Sequence, residues 1–163
     1  MKANIFDPDF DLESDRGGFR SRRAYLGRQS GARDLGASLF ELDPGDSPFP
    51  FHFHFGNEEM LIVLRGRPHL RERNGWRRLD EGEVVAFPVG ERHAHQIQNR
   101  SDQLVRVLMV SEMNAPEVGV YPDSGKVMLL SKPPGAEQQG LKHVSRLEDG
   151  IDYAEGEVPP AAD

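Results

Sequence analysis

Between residues 19 and 130 the chain is a succession of short runs with strand character, each closed by a turn signal, and helical periodicity is not sustained over any long stretch. That spacing restricts the chain to an all-β sandwich or barrel. The predicted strands are Phe19–Tyr25, Leu35–Leu42, Phe49–His54, Glu59–Arg65, Arg67–Arg73, Trp76–Leu79, Glu83–Phe87, His95–Asn99, Val105–Ser111 and Lys126–Leu130. Asn74-Gly75 predicts a hairpin with a type I′ turn, which needs positive φ at both central residues. Asp43-Pro44-Gly45-Asp46, Glu81-Gly82 and Pro122-Asp123-Ser124-Gly125 supply further turns, and there is no internal repeat.

The length, 163 residues, fits one domain with tails. The sequence divides into an acidic N-terminal segment (1–18), a β-domain (19–131) and a C-terminal tail (132–163) too poor in apolar residues to form its own core, and expected to be draped or mobile. The net charge of −7 sits at the ends: residues 1–18 hold five acids and two bases, residues 132–163 seven and three, and the middle fifteen of each. A nucleic-acid binder needs a net basic face, so no nucleic-acid partner is expected. Arg65, Arg67, Arg71, Arg73, Arg77 and Arg78 read instead as a solvated sheet face paired with neighbouring acids. No apolar run approaches the ~20 residues that span a bilayer, so no membrane partner is expected, and the first residues lack a secretory signal, so a cytoplasmic location is expected. With no cysteine, any metal must be held by histidine and carboxylate.

The segment Phe49-Pro50-Phe51-His52-Phe53-His54-Phe55 carries the most chemistry. Side chains alternate along a strand, so His52 and His54 share one face and the four phenylalanines the other. Two imidazoles at i and i+2 can hold one ion, and Glu59 follows at the head of the next strand, completing a His/His/carboxylate set. The competing reading is two histidines that merely share an exposed face. A second pair, His93 and His95, offers a further ligand, and the sulfur-free set suits iron(II), manganese, nickel, zinc or cobalt.

These residues resemble the two motifs of the cupin superfamily. Gly45, His52, His54, Glu59 and Gly66 match the first motif, with Glu59 preferred over Glu58 because six residues separate it from Gly66. Gly82, Pro88, Gly90, a histidine and Asn99 match the second. Counting from Gly90 selects His93 and counting back from Asn99 selects His95, a two-residue insertion in the turn; His95 is preferred because its face continues through Ile97 and Asn99. The resemblance implies a double-stranded β-helix (jelly-roll) barrel, strongest over about residues 35–112, with extra strands on its N-terminal side and a partly irregular acidic C-terminal tail. His-Gln-x-x-Asn and the run Tyr121-Pro122-Asp123-Ser124-Gly125-Lys126 also resemble a subgroup of single-domain cupins loosely described as sugar-phosphate-isomerase-like. The bland alternative for that run is a turn into the last strand.

The resemblance implies one divalent transition-metal ion per chain (iron, manganese, nickel or zinc) held by His52, His54, Glu59 and His95. The expected function is a metal-dependent enzyme acting on a small oxygenated molecule, organic acid or sugar-like, chelated to the ion; the alternative is a non-catalytic small-molecule binding or sensing module. With Glu59 engaged as a ligand, His93 and Glu58 are the candidate catalytic bases. Metal loss is expected as pH falls through the ordinary histidine range near 6.5. His69 belongs to the outer face, His143 to the tail, Asn99 to the end of its strand, and Trp76 is a packing anchor. If the histidines face a lumen, Phe49, Phe51, Phe53 and Phe55 face out, so a homodimer is expected to cover them, with residues 19–42 as the alternative cover.

Overall fold

The computed structural model describes residues 3–133 and 140–159. Thirteen strands are described: β1 (Leu12–Arg16), β2 (Phe19–Ala24), β3 (Leu35–Leu42), β4 (Phe53–His54), β5 (Glu59–Arg65), β6 (His69–Glu72), β7 (Gly75–Arg78), β8 (Val84–Phe87), β9 (Gln96–Gln98), β10 (Val105–Glu112), β11 (Glu117–Tyr121), β12 (Lys126–Leu130) and β13 (Lys142–Arg146). One antiparallel sheet runs β1-β2-β3-β10-β5-β8. A four-stranded sheet, β13-β12-β11-β4, and a three-stranded sheet, β7-β6-β9, meet through a backbone bridge between His52 and His95. The architecture is all-β, a double-stranded β-helix of antiparallel sheets.

Alternation along the strands sets the core. Leu61 and Val63 of β5, Val105, Val107 and Met109 of β10, and Phe40 and Leu42 of β3 point inward to meet Leu70, Ile97 and Phe87. Burial of these side chains, each worth about 1.5–3 kcal/mol, holds the barrel closed. The short helix α1 (Leu26–Ser30) lays Leu26 beside Ala24 and Leu39 on the other side of β3, together with Ala3, Ile5 and Phe10 from the N-terminal segment. This is why Leu39 through Leu42 are buried without alternation.

Several sequence expectations are corrected. The run Phe49–His54 yields a strand only at Phe53–His54, because Pro50 has no N–H to give a ladder and breaks the period of two. Within the acidic N-terminal segment Leu12–Arg16 forms a strand that pairs with β2 and was not among the predicted strands. In the tail, most of which is expected to be draped or mobile, Lys142–Arg146 adds an edge strand to β12; tail positions 134–139 and 160–163 lie outside the described residues. Helix α1 and strand β11 were not predicted. In the β6–β7 hairpin Glu72 pairs with Gly75, so the two-residue turn is Arg73-Asn74 and not Asn74-Gly75. Gly75, with φ of 119°, opens β7 and supplies the left-handed conformation within the strand, so the turn is not type I′.

The arginine cluster behaves as a solvated sheet face. Arg67 pairs with Asp80, Arg71 with Asp123, Arg73 with Glu91, Arg77 with Glu72 and Glu83, and Arg78 with Asp80. Trp76 carries Arg100 over its ring at 3.6 Å. Among the described residues no helix is long and apolar enough to cross a membrane.

Candidate metal centre

The bridge that joins the two smaller sheets also builds the site. His52 N donates to His95 O at 3.1 Å and His95 N to His52 O at 2.8 Å, which sets the two imidazoles side by side with ring centroids 4.8 Å apart. His54 follows on the same side, its ring 4.8 Å from that of His52. β5 begins at Glu59, and its carboxylate closes the group: ligand atoms of His52, His54 and Glu59 lie within 4.8 Å of one another. Glu59 Oε2 is 3.3 Å from His54 Nε2 and 3.2 Å from His95 Nε2.

Each of two rings has one nitrogen committed. His52 Nδ1 lies 2.9 Å from the Pro50 carbonyl and His95 Nδ1 3.1 Å from the His93 carbonyl. A carbonyl only accepts, so both Nδ1 atoms carry the proton and both Nε2 atoms are free electron-pair donors. Phe87 stacks on the His95 ring at 3.8 Å and Phe49 meets both His52 and His95 edge-on, so apolar walls hold the rings in place.

Protonation follows from these neighbours. Burial, with His95 and His54 close by, pushes His52 down to about 3, so it is neutral at physiological pH. For His54 burial opposes charge, but Glu117 and Glu59 outweigh it and raise the ring to about 10. Burial opposes ionisation of Glu59 as well, yet His54 and His95 hold it well below the usual carboxylate range.

A metal ion fits this set. Both ring nitrogens of His54, Oε2 of Glu59 and Nε2 of His95 are buried without a hydrogen-bond partner. Buried polar atoms left so are costly and uncommon, and three of them, Nε2 of His54, Oε2 of Glu59 and Nε2 of His95, converge in the pattern of a ligand cage. Three imidazoles and one carboxylate suit a first-row divalent ion.

The structure separates the paired candidates. His95 is buried at the cluster, whereas the side chain of His93 is exposed on the 3₁₀ turn Glu91–His93 and only its backbone carbonyl takes part. Glu58 is exposed, with its backbone N–H donating to Glu112, and its side chain is not in the cluster. His69 lies on the face of β6 opposite the core residue Leu70. Asn99 is fully buried and closes its strand by donating to the Leu42 and Gln103 carbonyls.

The aromatic row does not face outward as a unit. Phe49, beyond the break at Pro50, packs into the barrel core against Phe40. Phe51 and Phe53 do lie opposite the histidines, but Val118 and Val120 of β11, Val127 of β12 and Ala94 bury them, with the Arg71 guanidinium 4.2 Å over Phe51. Only Phe55 of the four is exposed, at 59%. Residues 19–42 cover Phe49, through Phe40, while β11, β12 and Ala94 cover Phe51 and Phe53, so the four rings do not form one outward patch.

Two residues of β11 belong to the site and were missed as a strand. Gly119 pairs with His54, which brings Glu117 to 3.5 Å from His54 Nδ1 and stacks the Tyr121 ring on His52 at 5.8 Å. In the sequence Tyr121 stands out only as the first residue of the run that resembles the single-domain subgroup. The sequence sign for Glu117 was slight: a lone acid at the head of an apolar run.

Residues 38–111 match the family model described as Cupin domain. No curated protein matches the sequence. Among solved structures, a sugar phosphate isomerase from a cupin superfamily of Silicibacter pomeroyi is 22% identical with a TM-score of 0.77, covering 95% of this chain and 98% of that one. A protein of Acidithiobacillus ferrooxidans, whose name proposes a sugar phosphate isomerase, is 24% identical with a TM-score of 0.72, covering 83% of this chain and 81% of that one. The polyketide cyclase RemF of Streptomyces resistomycificus is 24% identical with a TM-score of 0.59, covering 85% and 92%. At these identities the likeness is one of fold.

Proposed function

We propose that this chain, whose residues 38–111 match the cupin domain, is a metal-dependent enzyme acting on a small oxygenated molecule, an organic acid or a sugar-like compound. The observation that carries this reading is the convergence of buried, unpartnered atoms of His54, Glu59 and His95 beside the free Nε2 of His52. His52, His54, Glu59 and His95 would hold one divalent ion, which supplies Lewis acidity toward a chelating substrate. Iron, manganese, nickel and zinc all suit the donor set.

The chain's own groups shape what can bind. His52 is kept neutral by burial, so the ligand set brings one negative charge, from Glu59, against a doubly charged ion. The remaining positive charge favours an anionic or enolisable ligand. Tyr121 stands over His52, and burial, reinforced by Glu117, raises its pKa, so the phenol keeps its proton at neutral pH. Among the described residues its hydroxyl donates to the Met128 sulfur, at 3.8 Å, a weak acceptor that leaves the proton available to a bound oxygen. Lys126, with Nζ 5.6 Å from the Tyr121 ring, adds a cation for a carboxylate or phosphate on the ligand. The similar structures named as an isomerase and as a cyclase show this fold hosting different reactions, which product analysis distinguishes.

Calorimetric titration of metal-loaded and metal-stripped protein with hydroxy acids, keto acids and sugar phosphates, each followed by product analysis, tests the proposal. Binding confined to the loaded protein, weakened by Tyr121→Phe and accompanied by turnover, is expected. Equal binding to the stripped protein contradicts a role for the ion, and metal-dependent binding without any product assigns the chain to the binding or sensing modules.

A further inference from the structure

Resting on the metal-site reading, we propose that Glu117 is a positioning residue for the site: a buried carboxylate that accepts the Nδ1 proton of His54 and so turns Nε2 of that ring toward the ion. His52 and His95 obtain the same orientation from backbone carbonyls, those of Pro50 and His93. His54 has no such carbonyl in hydrogen-bond reach, and the group that faces its Nδ1 is Glu117 Oε1 at 3.5 Å. The tautomer of His54 therefore depends on a side chain 63 residues away in sequence, delivered by the pairing of Gly119 with His54.

Glu117 is itself held rigidly. It is 1% exposed, its Oε2 accepts from Asn57 Nδ2, and its Oε1 accepts from Gly56 N at 3.3 Å. Asn57 is fixed in turn, accepting from Asn114 N at 2.6 Å and donating to Asn114 O at 3.3 Å. Room for the carboxylate comes from Gly56, where a Cβ would stand 3.0 Å from Pro116 O and 3.3 Å from Glu117 Oε2. A buried carboxylate with two donors on it and an imidazole before it is built to hold one geometry. A ligating imidazole that donates its second N–H to a carboxylate is better oriented and more basic, and loss of such a partner typically weakens metal binding about 10–100-fold.

The test uses zinc, which is diamagnetic and suits the donor set. Zinc affinity by chelator competition is measured for the full-length protein and its Glu117→Gln, Glu117→Ala and Asn57→Ala variants. Long-range proton–nitrogen spectra of the zinc-loaded forms report which nitrogen of each ring carries the proton. Affinity reduced about 10–100-fold in both Glu117 variants is expected, with the smaller loss in Glu117→Gln, which keeps an acceptor without the charge. The protected Nδ1–H signal of His54 is expected to be lost in Glu117→Ala while those of His52 and His95 persist, an outcome that a merely structural role for Glu117 does not produce. Should Glu117→Ala fail to fold, Glu117→Gln and Asn57→Ala carry the same comparison. Wild-type affinity in folded Glu117 variants, or zinc on Nδ1 of His54, overturns the proposal and leaves the metal site standing. Failure of the wild-type protein to bind zinc or any other first-row divalent ion overturns both.

Discussion

Glu59 Oε2 and His95 Nε2 face each other across 3.2 Å, both buried and neither hydrogen-bonded, although the two residues lie 36 positions apart in the chain. One comes from the head of β5 and the other from the bridge beside β9, so the site exists only when the two layers are closed on each other. Glu59→Gln removes the one negative charge of the ligand set. Metal affinity is expected to fall by at least the 10–100-fold typical of losing an outer partner of a ligand, measured by competition with a chromogenic chelator.

The pH response of the metal-free protein should be two-sided. His54 is raised from 6.5 to about 10, so its contribution to stability is complete below pH 6.5 and is lost as pH rises from there to about 10. His52 is lowered to about 3, so its contribution is complete above pH 6.5 and is lost as pH falls toward 3; the depressed Glu59 adds a loss below its ordinary range near 4.5. Thermal melting of stripped protein is therefore expected to peak near pH 6.5 and decline on both sides. An ion must displace the His54 proton, so apparent metal affinity should keep rising by about tenfold per pH unit beyond 6.5, toward 10, and not level off in the ordinary histidine range. An affinity flat above pH 7 would contradict the Glu59–His54–Glu117 arrangement.

Two motif glycines should respond differently to alanine. Gly66 has φ of 78°, and an added Cβ would meet Leu104 O at 2.7 Å; Gly90 has φ of 101° but open space around it. Gly90→Ala bears the cost of positive φ alone, roughly 1–2 kcal/mol, whereas Gly66→Ala adds a clash with backbone and should cost more. Urea unfolding of the two variants checks the order.

Most of the candidate site's geometry was legible because it is local. Two histidines at i and i+2 must share a face, and that face became the lumen; Glu59 follows within five residues, and the alternation through Ile97 and Asn99 selected His95 over His93. Glu117 was not legible, since its place depends on β11 pairing with β4, and an acid preceded by proline reads as a surface residue until that pairing is known. Phe49 was misplaced for a simpler reason: Pro50 ends the alternation that was extended through it. The acidic ends were read from composition, which carries no information on the pairing that recruits Leu12–Arg16 and Lys142–Arg146 as edge strands.

Arg71 ties β6 to the turn that follows Tyr121. Its guanidinium makes two bonds to Asp123, at 2.6 and 3.0 Å, and lies over Phe51. The pair is partly solvated, so Arg71→Ala should cost only roughly 1 kcal/mol in urea unfolding. Its larger effect should fall on ligand binding through a displaced Tyr121, with metal content unchanged, as calorimetry and elemental analysis can show.

Metal content of the anaerobically purified, untagged protein by elemental mass spectrometry, beside His54→Ala, His95→Ala and His93→Ala variants, addresses the central claim. About one iron, manganese, nickel or zinc per chain is expected, lost in His54→Ala and His95→Ala and retained in His93→Ala, whose exposed ring takes no part. A wild-type chain that holds no ion and takes up none, or a His93→Ala variant that loses the ion while His95→Ala keeps it, would contradict the site as described.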